Sequence, residues 1–135
     1  MTLTREAMVA EPATLAATAK ATEAGERLAQ DEVRAVLVSD AEGRLVGVVT
    51  RTTLVREVVA AGRDPRSTTL GEIAEPPRFT VEADLPVEEA FRLLEDEDLE
   101  RVPVVEDGKL VGVLSRSVLQ RRLAEDEPPE LPSAA

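Results

Sequence analysis

The chain repeats itself, and a repeat of this length constrains the fold more than any other feature of the sequence. The stretch Ala35-Val36-Leu37-Val38-Ser39-Asp40, followed by Gly43-Arg44-Leu45-Val46-Gly47-Val48-Val49-Thr50, has a second copy. That copy reads Val102-Pro103-Val104-Val105-Glu106-Asp107, followed by Gly108-Lys109-Leu110-Val111-Gly112-Val113-Leu114-Ser115. Upstream, Thr14-Leu15, Ala24 and Leu28 match Thr80-Val81, Ala90 and Leu94, and Arg34 matches Arg101. Downstream, Thr50-Arg51-Thr52-Thr53-Leu54 matches Ser115-Arg116-Ser117-Val118-Leu119. Two copies in 135 residues leave each too short to bury an adequate core by itself. The halves are therefore expected to dock by their sheets about a pseudo-twofold axis.

Each copy reads as the same α+β string, roughly β-α-β-β-α. In the second, Thr69 to Glu72 has the pattern of a capping box opening a short helix that Pro76-Pro77 ends. Phe79-Thr80-Val81 is predicted as a strand, and Asp84 as the N-cap of a helix carrying Val87, Ala90, Phe91 and Leu94 at helical spacing. A hairpin turns at Asp107-Gly108, where both residues tolerate positive φ, and Ser115 or Ser117 starts a last helix through Leu123. The first copy places Thr18 before a helix at 19–29, a looser hairpin through Ala41-Glu42-Gly43, and a helix at 52–61 closed by Gly62. Residues 1–62 thus form motif 1, 63–68 a linker and 69–124 motif 2. The acidic, Pro-rich tail 125–135 is expected to be disordered. Leu54, Val55, Val58 and Val59 form an apolar stripe assigned to the core, part of it shared with a dimer face.

Composition limits the chemistry. With two Phe and no Tyr or Trp, any pocket has aliphatic walls. No Cys and no His excludes thiolate and imidazole catalysis, zinc and haem ligation through those groups, and disulfides. The net charge of -11 disfavours nucleic acid. Its excess lies in the run Glu95 to Glu100, read as a solvated loop, and in the tail, so local cationic sites remain open. The first thirty residues carry Glu6, Glu11, Glu23 and Glu26 without a long apolar run, so neither a signal peptide nor a membrane span is expected, and the protein is expected to be cytoplasmic.

Taken together, these residues resemble a tandem pair of CBS motifs, the Bateman module, over roughly residues 3 to 124. The resemblance rests on Val102-Pro103-Val104 with Gly112-Val113-Leu114-Ser115, and on Gly47-Val48-Val49-Thr50 in a first copy that has Val36 where the Pro would stand. It implies a regulatory module that binds AMP, ATP or S-adenosylmethionine between the motifs and acts on a partner protein in trans, without a required cofactor or metal. It also implies a homodimer, a disc formed through the closing helices. Ala35, Val36, Val102 and Pro103 would enclose the adenine. Thr50, Thr52, Ser115 and Ser117, with neighbouring helix N-terminal amides, would face ribose or phosphate; simple N-capping explains the same residue types. Arg34 and Arg101 would meet phosphate, the alternative being surface arginines paired with Asp31 or Glu100. The chain departs from the family where a ribose-binding Asp is expected. Thr53 and Val118 stand there, and loss of a charge-assisted hydrogen bond weakens binding by about one to two orders of magnitude. The cleft with Val118 is expected to be the poorer of the two. An interaction module that has lost nucleotide binding is the alternative function; an enzyme is disfavoured.

Overall fold

The computed structural model describes residues 1–10 and 14–126. The first half contains α1 (Thr4–Ala7), β1 (Val9–Ala10), β2 (Thr14–Ala16), α2 (Ala21–Leu28), β3 (Val36–Ser39), β4 (Leu45–Val49) and α3 (Arg51–Leu54), which runs on as a π-helix over Val55–Val59. The second contains α4 (Leu70–Ile73), β5 (Val81–Glu82), α5 (Val87–Asp96), β6 (Arg101–Glu106), β7 (Lys109–Ser115) and α6 (Arg116–Asp126). The fold is α+β, with β2-β3-β4 as one sheet and β1-β7-β6-β5 as the other. Both sheets have the same local topology: β2 lies parallel to β3 and β5 parallel to β6, while the hairpins β3-β4 and β6-β7 are antiparallel. Asp107 and Gly108 take φ of 53° and 79°, as their hairpin turn requires.

Period-two alternation sets the two faces of each sheet. Val36, Val38 and Val49 enter one core with Ala21, Ala24 and Leu28; Val102, Val104 and Leu114 enter the other with Val87, Ala90 and Leu94. The repeat boundary does not separate these cores. Leu70 and Ile73, from the start of the second copy, are buried in the first core, and Ala7 is buried in the second.

Hydrogen bonds fix this exchange. Thr4 N donates to Leu85 O (2.8 Å), Arg5 N to Ala83 O (2.9 Å), and Val87 N to Thr2 O (2.9 Å). The same three bonds recur between the other pair of segments: Leu70 N to Ala19 O (2.8 Å), Gly71 N to Ala17 O (2.9 Å), and Ala21 N to Thr68 O (2.8 Å). The pseudo-twofold is thus carried in backbone bonds. At the far end the hairpin turns meet, Leu110 N donating to Gly43 O at 3.0 Å.

The same exchange explains where the sequence reading misplaced helix starts. Neither Thr18 nor Asp84 caps a helix; the capping positions are Lys20 and Pro86, and neither makes a side-chain cap bond. The first-turn amides of Ala21 and Val87 are instead satisfied by carbonyls of Thr68 and Thr2, each from a segment docking from the opposite half. The strand expected at Phe79-Thr80-Val81 is Val81–Glu82, and the helix expected at 52–61 begins at Arg51 with Thr50 as its cap. The apolar stripe divides: Val58 is core, but Val55 and Val59 are 58% and 73% exposed. Helix α6 reaches Asp126, so Glu125 and Asp126 belong to it, and the rest of the tail lies outside the described residues.

Candidate functional site

The strand faces turned away from the two cores enclose two clefts between the halves. In β3, with Val36 and Val38 inward, Leu37 faces a cleft; in β4, with Val49 inward, Val48 does; in β6, with Val102 and Val104 inward, Pro103 does. The larger cleft is about 570 Å³ and the smaller about 350 Å³. Both volumes fall in the range of roughly 300–1,000 Å³ typical of small-molecule sites.

Residues from both copies form each cleft. The larger combines Glu32 to Ala35 of the first copy with Arg101 to Pro103 and Ser115, Ser117 and Val118 of the second, and Val9 of β1 adds a wall. The smaller combines Thr50 and Thr53 of the first copy with Leu99, Arg101 and Pro103 of the second, and the Glu75 to Phe79 segment adds the corresponding wall. Glu75 there is ion-paired to Arg56 at 2.7 Å, and the Arg78 guanidinium lies over the Phe79 ring, 5.4 Å from its centroid.

Most of the residues singled out from the sequence come together. Arg34, Ala35, Arg101, Pro103, Ser115, Ser117 and Val118 line the larger cleft, and Thr50 and Thr53 the smaller; Val102 borders the larger cleft too, but it is 1% exposed and its side chain packs in the second core. Two do not. Val36 points into the first core because its strand neighbours Ala35 and Leu37 take the cleft face, and Thr52 sits on the exposed side of α3, lining neither cleft. Leu37, Val48 and Val113 were missed, although alternation along each strand signals them. Val9 had no such signal, since only docking of β1 beside β7 brings it to the cleft.

The polar groups of the two clefts differ in how far they are already committed. Thr53 is 1% exposed and closes a reciprocal capping box with Thr50. Thr50 N donates to Thr53 Oγ1 at 3.0 Å, Thr53 N donates to Thr50 Oγ1 at 3.2 Å, and the two hydroxyls lie 3.0 Å apart. The Thr53 amide expected to face a ligand is therefore already satisfied. In the larger cleft Ser115 Oγ lies 3.1 Å from Ser117 Oγ and accepts from Val118 N at a long 3.5 Å. Ser117 is exposed and Val118 is half-buried.

Among the described residues, neither Arg34 nor Arg101 has a carboxylate within ion-pair distance. Glu100, the partner weighed for Arg101, pairs with Arg116 at 3.7 Å, and Arg116 also holds Asp98 at 3.3 Å. Both arginines are exposed, and among the described residues neither makes the ion pair with Asp31 or Glu100. Both stand on the rim of the larger cleft, with Glu32 as the opposing charge there.

The family model of the CBS domain matches residues 5–60 and again 70–125. The chain belongs to the CBS domain family. A similar protein is Hypoxic response protein 1 of Mycobacterium tuberculosis, 30% identical over 104 residues, which cover 77% of this chain and 73% of that protein. The crystal structure of Hypoxic Response Protein I with two coordinated zinc ions superposes with a TM-score of 0.76 at 28% identity, over 90% of this chain and 99% of that one. The crystal structure of CBSX2 in complex with AMP gives a TM-score of 0.72 at 25% identity, over 91% and 96%. As a CBS pair, the protein carries its two clefts between the motifs. No helix among its described residues is long and apolar enough to cross a membrane.

Proposed function

We propose that the protein is a cytoplasmic regulatory module that binds an adenosine-containing ligand, AMP, ATP or S-adenosylmethionine, in the larger cleft and transmits occupancy to a partner protein in trans. One observation carries this reading: two arginines without carboxylate partners among the described residues, Arg34 and Arg101, stand beside the Ser115 and Ser117 hydroxyls over a wall of Ala35, Leu37, Pro103 and Val113. Aliphatic walls suit a flat base, hydroxyls a ribose, and guanidinium forks a phosphate. The AMP complex of CBSX2 supports the ligand class. The zinc ions of Hypoxic Response Protein I form no part of the proposal. This chain has no Cys or His, and its described residues bring no three carboxylates together. No catalytic role is assigned.

The working assembly is a homodimer, formed over the π-helical Val55–Val59 face, whose Val55 and Val59 are left exposed by the described residues. A second reading, an interaction module without nucleotide binding, is favoured by Thr53 being spent on its own cap and by Val118 offering no acceptor. Titration calorimetry and thermal shift with AMP, ATP and S-adenosylmethionine separate the two. Binding of at least one supports the sensor; no heat and no shift with any of them leaves the interaction module.

A further inference from the structure

Three residues line both clefts: Val48 from β4, and Arg101 and Pro103 from β6. Together they form the partition between the clefts, with Arg101 as its only charged member. The Arg101 side chain is exposed, and among the described residues it has no carboxylate partner to hold it to one side. A guanidinium can hold two anions that lie on the same side of it, as Arg116 holds Asp98 and Glu100, but an arginine drawn into one cleft to meet a phosphate is withdrawn from the cleft across the partition. We propose that Arg101 makes the two clefts compete for anionic ligands, so that a nucleotide bound in one lowers the affinity of the other.

The rest of the charge distribution gives the order of filling. The larger cleft adds Arg34 to the shared arginine. The smaller adds Arg78, which lies over Phe79, and the ion-paired Glu75. A phosphate therefore enters the larger cleft first and draws Arg101 toward it. The smaller cleft is left with one cation fewer and with a new negative charge across the partition. Both effects oppose a second phosphate, and by linkage the penalty is mutual. A ligand without phosphate does not engage the fork and escapes the penalty.

This inference rests on the reading of the clefts as nucleotide sites. Its test is the stoichiometry of AMP and of adenosine, measured by titration calorimetry on the full chain and on Arg101→Gln. For AMP the expected result is one tight equivalent per chain and a second at least about tenfold weaker, within the usual span of coupling between sites. In Arg101→Gln the tight AMP affinity falls about tenfold or more and the gap between the two equivalents narrows, keeping only the part that Arg34 and the repulsion between the two phosphates supply, while adenosine binding is unchanged. Arg101 is exposed and makes no ion pair among the described residues, so the variant should melt with the parent, and that is checked alongside. Two AMP equivalents of equal affinity, or a gap as wide in Arg101→Gln as in the parent, overturns the competition while leaving the clefts as sites. Failure of both AMP and adenosine to bind overturns the cleft reading itself, and the competition with it.

Discussion

Gly47 lies so close to the backbone of Glu75 that a Cβ on the glycine would stand 2.6 Å from the Glu75 carbonyl oxygen. The contact accompanies a two-way pairing: Val48 N donates to Glu75 O at 2.8 Å, and Glu75 N to Val48 O at 3.0 Å. Gly112 has the corresponding role beneath Met8 and Val9 in the other sheet, where β1 pairs with β7. Each glycine admits a segment from the opposite end of the repeat. Those two segments supply the Glu75 wall of the smaller cleft and the Val9 wall of the larger.

Gly47→Ala is therefore expected to lower stability by about 1–3 kcal/mol, the cost of overpacking against backbone that has no free rotamer to give. Gly112→Ala should cost less in denaturant, because its nearest obstacle is the flexible thioether of Met8, although the Val9 carbonyl oxygen at 2.9 Å must shift as well. It should instead loosen residues 1–10, seen as faster proteolysis there. Urea melts of the two variants with equal and negligible shifts would contradict the close approach.

Leu70 is fully buried in the first core although its helix opens the second copy. Leu70→Ala should cost about 2–5 kcal/mol. Because the exchanged segments tie each core to both copies, unfolding of this variant should remain one transition. Two resolved transitions by calorimetry would show that the halves unfold independently.

The family position for a ribose-binding Asp is occupied by Thr53 and Val118, and Val118, in the cleft expected from the sequence to be the poorer, is the more open to substitution. Val118 is half-buried on the wall of the larger cleft, whereas Thr53 is buried and bonded to Thr50. Val118→Asp is expected to raise AMP affinity about tenfold, the low end for a hydrogen bond to a charged group. Thr53→Val should bring no gain and cost about 1 kcal/mol through loss of the acceptor for Thr50 N. Titration calorimetry checks the first and thermal melting the second.

Val55 and Val59 on the π-helical face are expected to pack against a second copy. Val59→Glu should leave the melting temperature of the monomer fold unchanged, since the side chain is exposed, and should shift the chain to monomer, because the twofold brings like charges together. Sedimentation velocity at tens of micromolar reads this directly. A parent protein already monomeric at that concentration would exclude the face as a dimer contact.

The repeat, the hairpins, the α+β class and the family were legible in the sequence because they rest on local information. Alternating valines choose a face, Asp107-Gly108 closes a turn, and two copies in register make the resemblance specific. The rim arginines were legible for the same reason, since Arg34 and Arg101 occupy matching places in the two copies. What only the tertiary structure decided depends on segments far apart in the chain. Thr18 and Asp84 look like helix caps, yet the acceptors are carbonyls of Thr68 and Thr2, which local sequence cannot announce. Ala35 and Val36 look equally suited to line a cleft, and the strand's pleat sends one to the rim and the other into the core. Thr53 reads as a weak ribose acceptor until Thr50 is found holding it. That Arg101 belongs to both clefts follows only from two hairpins being laid against each other, because a partition is a property of the docked pair and neither copy contains it alone.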